Sequence, residues 1–166
     1  MKNLTYSVWL LAFCAFFLTS CSQDSIEELE SADLTTKLAP VEYSTIEMEV
    51  LDLVNAYRDQ KGLSQLLSLD EGSVQAASHN KHMIEGNEVC HHYFGNRYQA
   101  LVNSVDAKAV SENVGFGYRT ADAVVNAWIE SDGHRKNMEG EHTHFGISVK
   151  EGKDGKLYFT NIFVKK

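Results

Sequence analysis

A chain of 166 residues sets an expectation of one domain, and its 23 acidic against 15 basic residues leave a formal charge of −8. A surface that acidic excludes recognition of nucleic-acid phosphates or anionic lipid headgroups through a basic face. Three cysteines in the whole sequence, Cys14, Cys21 and Cys90, do not suffice for a disulfide framework.

Lys2 precedes an almost wholly apolar run from Val8 to Leu18, followed by Leu18-Thr19-Ser20-Cys21. A charged start, a short apolar core and small residues before a cysteine read as a secretory leader over residues 1–20. The run is short for a permanent bilayer span. Leu18-Thr19-Ser20-Cys21 also resembles a bacterial lipobox, in which Cys21 is lipidated and becomes the first residue. Cys14 then leaves with the leader and Cys90 is the remaining thiol, so the fold rests on its core. Residues 21–44 hold Asp24, Glu27, Glu28, Glu30, Asp33 and the single proline, Pro40, with few large apolar residues. That composition predicts an acidic, flexible tether between lipid and domain, with a short amphipathic helix over Ile26–Leu34 as the alternative.

From Thr45 the pattern is helical: Ile46, Val50, Leu53, Val54 and Tyr57 recur on one stripe, and Gly62 is a natural stop. Asp70 is placed to cap a second helix, with Val74, Ala77, Lys81 and Ile84 on its stripe and Ala76 and Met83 beside it. His79 and His82, three apart, could share one helix face and chelate, but they fall near its polar side, which favours solvated side chains. A short helix is expected over Tyr98–Asn103 and a buried strand over Val110–Val114. Thr120 caps a third helix with Ala123, Val124, Ala127, Trp128 and Ser131 inward. After Gly140 the period becomes two. Phe145, Ile147 and Val149 alternate, Lys153-Asp154-Gly155-Lys156 turns the chain, and the last run is apolar on both sides. Leu157, Phe159 and Phe163 face one way; Tyr158, Ile162 and Val164 face the other. A strand buried on both faces needs layers above and below it, which predicts an α+β, three-layer α-β-α sandwich around a central antiparallel sheet.

Several segments taken in order resemble the CAP superfamily of cysteine-rich secretory, antigen-5 and pathogenesis-related proteins, closest to its bacterial branch. They are Leu53-Val54-Asn55-Ala56-Tyr57-Arg58, His91-x-x-Phe94-x-x-Arg97, Ser111-Glu112-Asn113-Val114-Gly115, Trp128-x-x-Ser131-x-Gly133-His134-Arg135-x-Asn137 and His144-Phe145-Gly146-Ile147. The resemblance spans residues 46–164 and makes residues 45–166 the CAP domain. It implies a cleft lined by two histidines and two acids, with His91 and Glu112 as the first of each and His134 as the second histidine. Where animal and plant members carry their second acid, this chain has Ser131. His144, Asn113, Ser131 and Asn137 are secondary cleft candidates.

For His91 the alternatives are a zinc ligand or proton carrier, and a loop histidine bonded to backbone. Glu112, flanked by Val110 and Val114, needs a partner such as a histidine or backbone N–H groups. His134 and Arg135 near a helix end either enter the cleft or sit against the helix dipole. Asn137 caps or bridges. Cys90 beside His91 is not expected to act as a nucleophile, because sequence neighbours point apart. Two imidazoles and an acid suit zinc or another divalent metal, although no His-Glu-x-x-His helix fixes them.

These residues predict a lipid-anchored, extracytoplasmic domain of the cell envelope, held to the membrane through Cys21. It acts by binding a divalent metal, a lipid or an envelope partner, with no nucleic-acid partner. Two alternatives stand beside it: a metal-dependent hydrolase of peptide or cell-wall substrates, and a purely structural His/Glu network.

Overall fold

The computed structural model describes residues 40–166; the leader, Cys21 and most of the tether lie outside them. Helix α1 (Thr45–Gln60) begins where the Ser44 N–H and Oγ both donate to Glu47 Oε2, at 2.8 and 2.7 Å. It ends at Gly62, whose φ of +70° is the left-handed turn expected of a glycine stop. Strand β1 (Leu67–Ser68) follows, then α2 (Asp70–Gly86), α3 (Phe94–Val105), β2 (Ala109–Phe116), α4 (Ala121–Glu130), α5 (Asp132–Glu139), β3 (His144–Glu151) and β4 (Leu157–Lys165).

The strands form one sheet in the order β1-β3-β4-β2. Its body, β3-β4-β2, is antiparallel, and the two-residue β1 adds a parallel edge against His144 and Phe145. Gly155 at φ +74° turns the β3–β4 hairpin. As the alternation of its sequence predicts, β4 is buried on both faces. Phe159 and Phe163 join Val50, Val54, Val124, Trp128 and Met138 of α1, α4 and α5. Ile162 and Val164 join Ala76 and Leu101 of α2 and α3, and Tyr158 packs with Met83. Each fully buried side chain of this size contributes about 1.5–3 kcal/mol, so β4 is the strand on which both layers depend. The α+β sandwich is therefore as expected.

Element bounds and faces differ in places. Helix α3 starts four residues before the expected Tyr98, and β2 is longer than Val110–Val114. Asp70 is the first residue of α2 and not its cap; its carboxylate accepts from Val41 N and Tyr43 Oη. Packing thus begins slightly before Thr45. The buried stripe of α2 is Gly72, Ser73, Ala76, His79, Asn80 and Met83, rotated from the apolar stripe, and Val74 is exposed. The reason is polar pairing: Asn80 Nδ2 donates to Ser148 O and its Oδ1 accepts from Thr160 Oγ1. In α4 the inward residues are Ala121, Val124, Val125 and Trp128, while Ala123 is exposed.

The α2 stripe lies close to the sheet because Gly72 meets Gly146 of β3 backbone to backbone. A Cβ on Gly146 would stand 2.2 Å from the Gly72 carbonyl carbon. Neither chain can yield there, so Gly146→Ala is expected to destabilise the full chain by about 1–3 kcal/mol or more in urea unfolding. Gly133→Ala, in a helix with nothing within 4 Å, should stay within about 1 kcal/mol of the parent.

Candidate functional site

Alternation along β2 sends Glu112 toward α2 and α3, and Ser111 and Asn113 toward α5. Glu112 is 6% exposed, a position at which an unpaired carboxylate is untenable. Its partner is Arg97 of α3, also buried, whose Nε and Nη2 donate to Oε2 and Oε1, both at 2.8 Å. This fork occupies both carboxylate oxygens. His91, in the loop between α2 and α3, adds a third bond from Nδ1 to Oε1 at 2.8 Å. Burial pushes the Glu112 carboxyl up, but the bonds from His91 and Arg97 and the guanidinium charge outweigh it. Its pKa lies below the ordinary carboxylate value.

Since a carboxylate only accepts, His91 Nδ1 carries the proton and Nε2 is the ring's free nitrogen. The His91 side chain is 55% exposed. It lines an open cleft of about 260 Å³ with Phe94, Val110, Ser111, Glu112 and Asn137. His79 is not at the solvated surface predicted for it. It is 1% exposed, donates from Nε2 to the Cys90 carbonyl at 2.8 Å, and stands 3.7 Å from Glu112. Burial, opposed by Glu112, holds its pKa below the usual histidine value.

The other candidates lie on the α5 side of the β2 edge. Asn137 Nδ2 donates to Glu112 O at 3.1 Å and Asn113 Oδ1 at 2.9 Å, and Asn113 Nδ2 donates to His134 O at 3.1 Å. Asn137 therefore bridges. Ser131 is where α4 stops and α5 starts, with extended backbone and its carbonyl accepting from Arg135 N. His134 consequently sits in the first turn of α5, at the positive end of that helix and not at the favourable negative end. Burial and the nearby His91 lower its pKa. His144 lies elsewhere, across β4 from β2, in a groove of about 490 Å³ that includes Arg58, Leu67, His142 and Lys165.

Sequence reasoning missed the role of Arg97, although the residue stood in a quoted motif; a buried acid and a motif arginine could have been paired. It also missed His142, which reaches Ser111 Oγ at 3.1 Å and stacks on Phe163. Burial, with Arg58 and Lys165 nearby, lowers its pKa to about 4. A further group of donors is a different set from His91, Glu112 and His134. The ligand atoms of His82, Cys90 and His92 lie within 4.8 Å of one another, an arrangement that can hold a metal.

With this geometry in place, the family model for the cysteine-rich secretory protein family matches residues 51–164. The chain belongs to the CAP family. Two Bacillus subtilis (strain 168) relatives resemble it. The "Uncharacterized membrane protein YlbC" is 31% identical over 74% of this chain and 35% of its own length. The "Uncharacterized protein YkwD" is 32% identical over 70% of this chain and 47% of its own length. The chain thus spans less than half of either relative. Among solved structures, an outer surface protein of Borrelia burgdorferi superposes with a TM-score of 0.65 at 19% identity, over 75% of this chain and 96% of the other. An extracellular SCP-domain protein of Bacillus anthracis superposes with a TM-score of 0.64 at 24% identity, over 77% and 45%. Both carry the same fold as this CAP domain.

Glu112→Gln leaves Arg97 buried without a counter-charge and is expected to cost about 3–5 kcal/mol in urea unfolding of the full chain. The pH dependence follows from groups whose folded pKa is depressed. His142 contributes stability in full above its ordinary 6.5, and that contribution is lost as pH falls toward about 4. Glu112, lowered from 4.5, adds a further loss below that value. The melting temperature is expected to decline from pH 6.5 downward, and His142→Gln should shrink the fall between pH 6.5 and 4.

Proposed function

We propose that this CAP domain is an extracytoplasmic binding module of the cell envelope, presenting His91 to a ligand at the open edge of β2. The observation that carries this reading is the Arg97 fork on Glu112. With both oxygens engaged and its pKa lowered, Glu112 orients the imidazole and is poorly suited to take a proton from water. His91 is left as a fixed ring with one free nitrogen, the arrangement in which a carboxylate-bonded histidine serves a metal or a polar ligand group. Phe94 and Val110 supply apolar walls beside Ser111 and Asn137, a mixture that suits the boundary between a headgroup and a chain. A divalent metal such as zinc, a lipid or an envelope partner with such a boundary is the ligand class. A metal-dependent hydrolase would need Glu112 free as a base, so binding is the better supported activity.

The membrane attachment belongs to the same reading and rests on Leu18-Thr19-Ser20-Cys21. Cys21 carries lipid, and the acidic stretch from Ser22 up to the packed residues Val41 and Tyr43 tethers the domain. Cys21→Ala is expected to move the protein out of the membrane fraction or leave it unprocessed; unchanged mass and membrane association would reject the anchor.

The cleft is tested by imidazole ¹H–¹⁵N spectra of the full chain titrated with Zn²⁺ and, separately, with short-chain phospholipid. One of the two probes should shift His91 Nε2. His91→Ala should abolish that response while moving the melting temperature little, because the ring is half exposed. Silence of His91 to both probes, together with chelator-sensitive hydrolysis of peptides or wall fragments, would overturn the binding reading.

A further inference from the structure

The loop between α2 and α3 sends its side chains to opposite sides. His91 turns to Glu112. Cys90 and His92, its two neighbours, turn the other way, toward His82 on α2. We infer that His82, Cys90 and His92 form a metal site for a borderline-soft transition-metal cation, Zn²⁺ or its mimics, separate from the His91 cleft.

Three observations support the assignment. The first is the donor set itself: one thiol and two imidazoles with ligand atoms within 4.8 Å of one another. A thiolate with imidazoles selects zinc-like ions over Mg²⁺ or Ca²⁺, which take oxygen ligands. Donors around a tetrahedral zinc, at about 2.0–2.3 Å from the ion, sit roughly 3.5 Å apart, so small side-chain rotations close the group. Among the described residues, none of the three side chains has a hydrogen bond that metal binding would have to break.

The second is that the backbone carrying the donors is held in advance. Cys90 O accepts from His79 Nε2 at 2.8 Å, and His92 O accepts from Arg97 Nη1 at 2.7 Å. The loop is bounded by residues with left-handed backbone, Asn87 at φ 49° and Tyr93 at φ 60°. For a bulky aromatic residue that conformation is disfavoured, and it persists where the surroundings impose it. Here it accompanies a Tyr93 ring set edge-on to His82, with centroids 5.1 Å apart.

The third is access. His82 and Cys90 are half-buried and His92 is exposed. His82 and Tyr93 also line a cleft of about 270 Å³ with Gln75, Ser78, His79, Asn96 and Arg97. Three protein ligands beside such a space leave a fourth position for water or a small ligand, as in an open zinc site. Binding deprotonates the Cys90 thiol and releases that proton, so affinity rises with pH.

The test is a Co²⁺ titration of the reduced full chain, prepared without a histidine tag or chelator. One equivalent should produce a thiolate-to-Co²⁺ charge-transfer band, which Zn²⁺ displaces. Cys90→Ser should remove the band, and His82→Ala and His92→Ala should each weaken binding by about tenfold or more. His91→Ala should leave affinity within about twofold, because that ring belongs to the other side of the loop. Circular dichroism of each variant checks that the fold is retained. Absence of the band in the parent would overturn the site. So would a band unaffected by both histidine variants, which is thiol binding alone, or one lost equally with His91→Ala, which assigns the metal to the cleft.

Discussion

The ion pair between Glu112 and Arg97 is the constraint on which the functional end of this domain depends. A carboxylate on the inner face of a sheet must be matched or neutralised, and a guanidinium matches it with two parallel bonds. Once Arg97 is fixed in that geometry, its remaining Nη1 is positioned to bind His92 O. Glu112 in turn fixes His91, and the neighbouring His79 binds Cys90 O. His91 and His92 are therefore tied to one buried charge pair, and Cys90 to the imidazole that stands 3.7 Å from it. The loop connecting α2 and α3 has backbone bonds at its two ends, Glu88 N–H to Met83 O and Phe94 N–H to His91 O, and the side-chain bonds satisfy the carbonyls of Cys90 and His92 between and beside them.

The second constraint is the edge of the sheet. β2 is terminal in the strand order, so among the described residues one side of its backbone lacks a neighbouring strand. Two carbonyls two residues apart, Glu112 O and Val114 O, accept instead from Asn137 Nδ2 and Trp128 Nε1. Carbonyls at that spacing point the same way along a strand, so the two side chains seal one edge. The break between α4 and α5 at Ser131 lets one helix deliver Trp128 and the next deliver Asn137. Opening lies where this seal meets the α2–α3 loop, and His91 stands there.

What the sequence made legible was whatever followed a period. β4 could be read from its double alternation, and the hairpin from Asp154-Gly155, because burial on two faces leaves an apolar signature. The α2 face was misread because its buried stripe contains His79 and Asn80. Apolar periodicity treats both as surface residues, whereas each is buried with a specific partner. The partnership of Glu112 with His91 and Arg97 crosses sequence separations of 21 and 15 residues, and no local spacing encodes it. Only the motif resemblance brought His91 near Glu112, and it said nothing of the arginine between the oxygens.

The same loop explains why adjacent histidines serve different chemistry. The chain turns at His92 and Tyr93, and Cys90 and His92 gather with His82 on one side of the loop while His91 takes the other toward Glu112. Both sides are braced by one network, since Arg97 holds Glu112 beneath His91 and the carbonyl of His92 behind the thiol group. A ligand pulling on His91 and a metal drawing Cys90 and His92 together act on the same few backbone atoms. Because those atoms are tied to a pair whose disruption costs several kcal/mol, each event meets a backbone already braced, so a change confined to the His91 ring leaves the other side's backbone in place. The geometry of the cleft and that of the thiol–imidazole group thus rest on one brace, the Glu112–Arg97 pair, through separate bonds to His91 Nδ1 and His92 O.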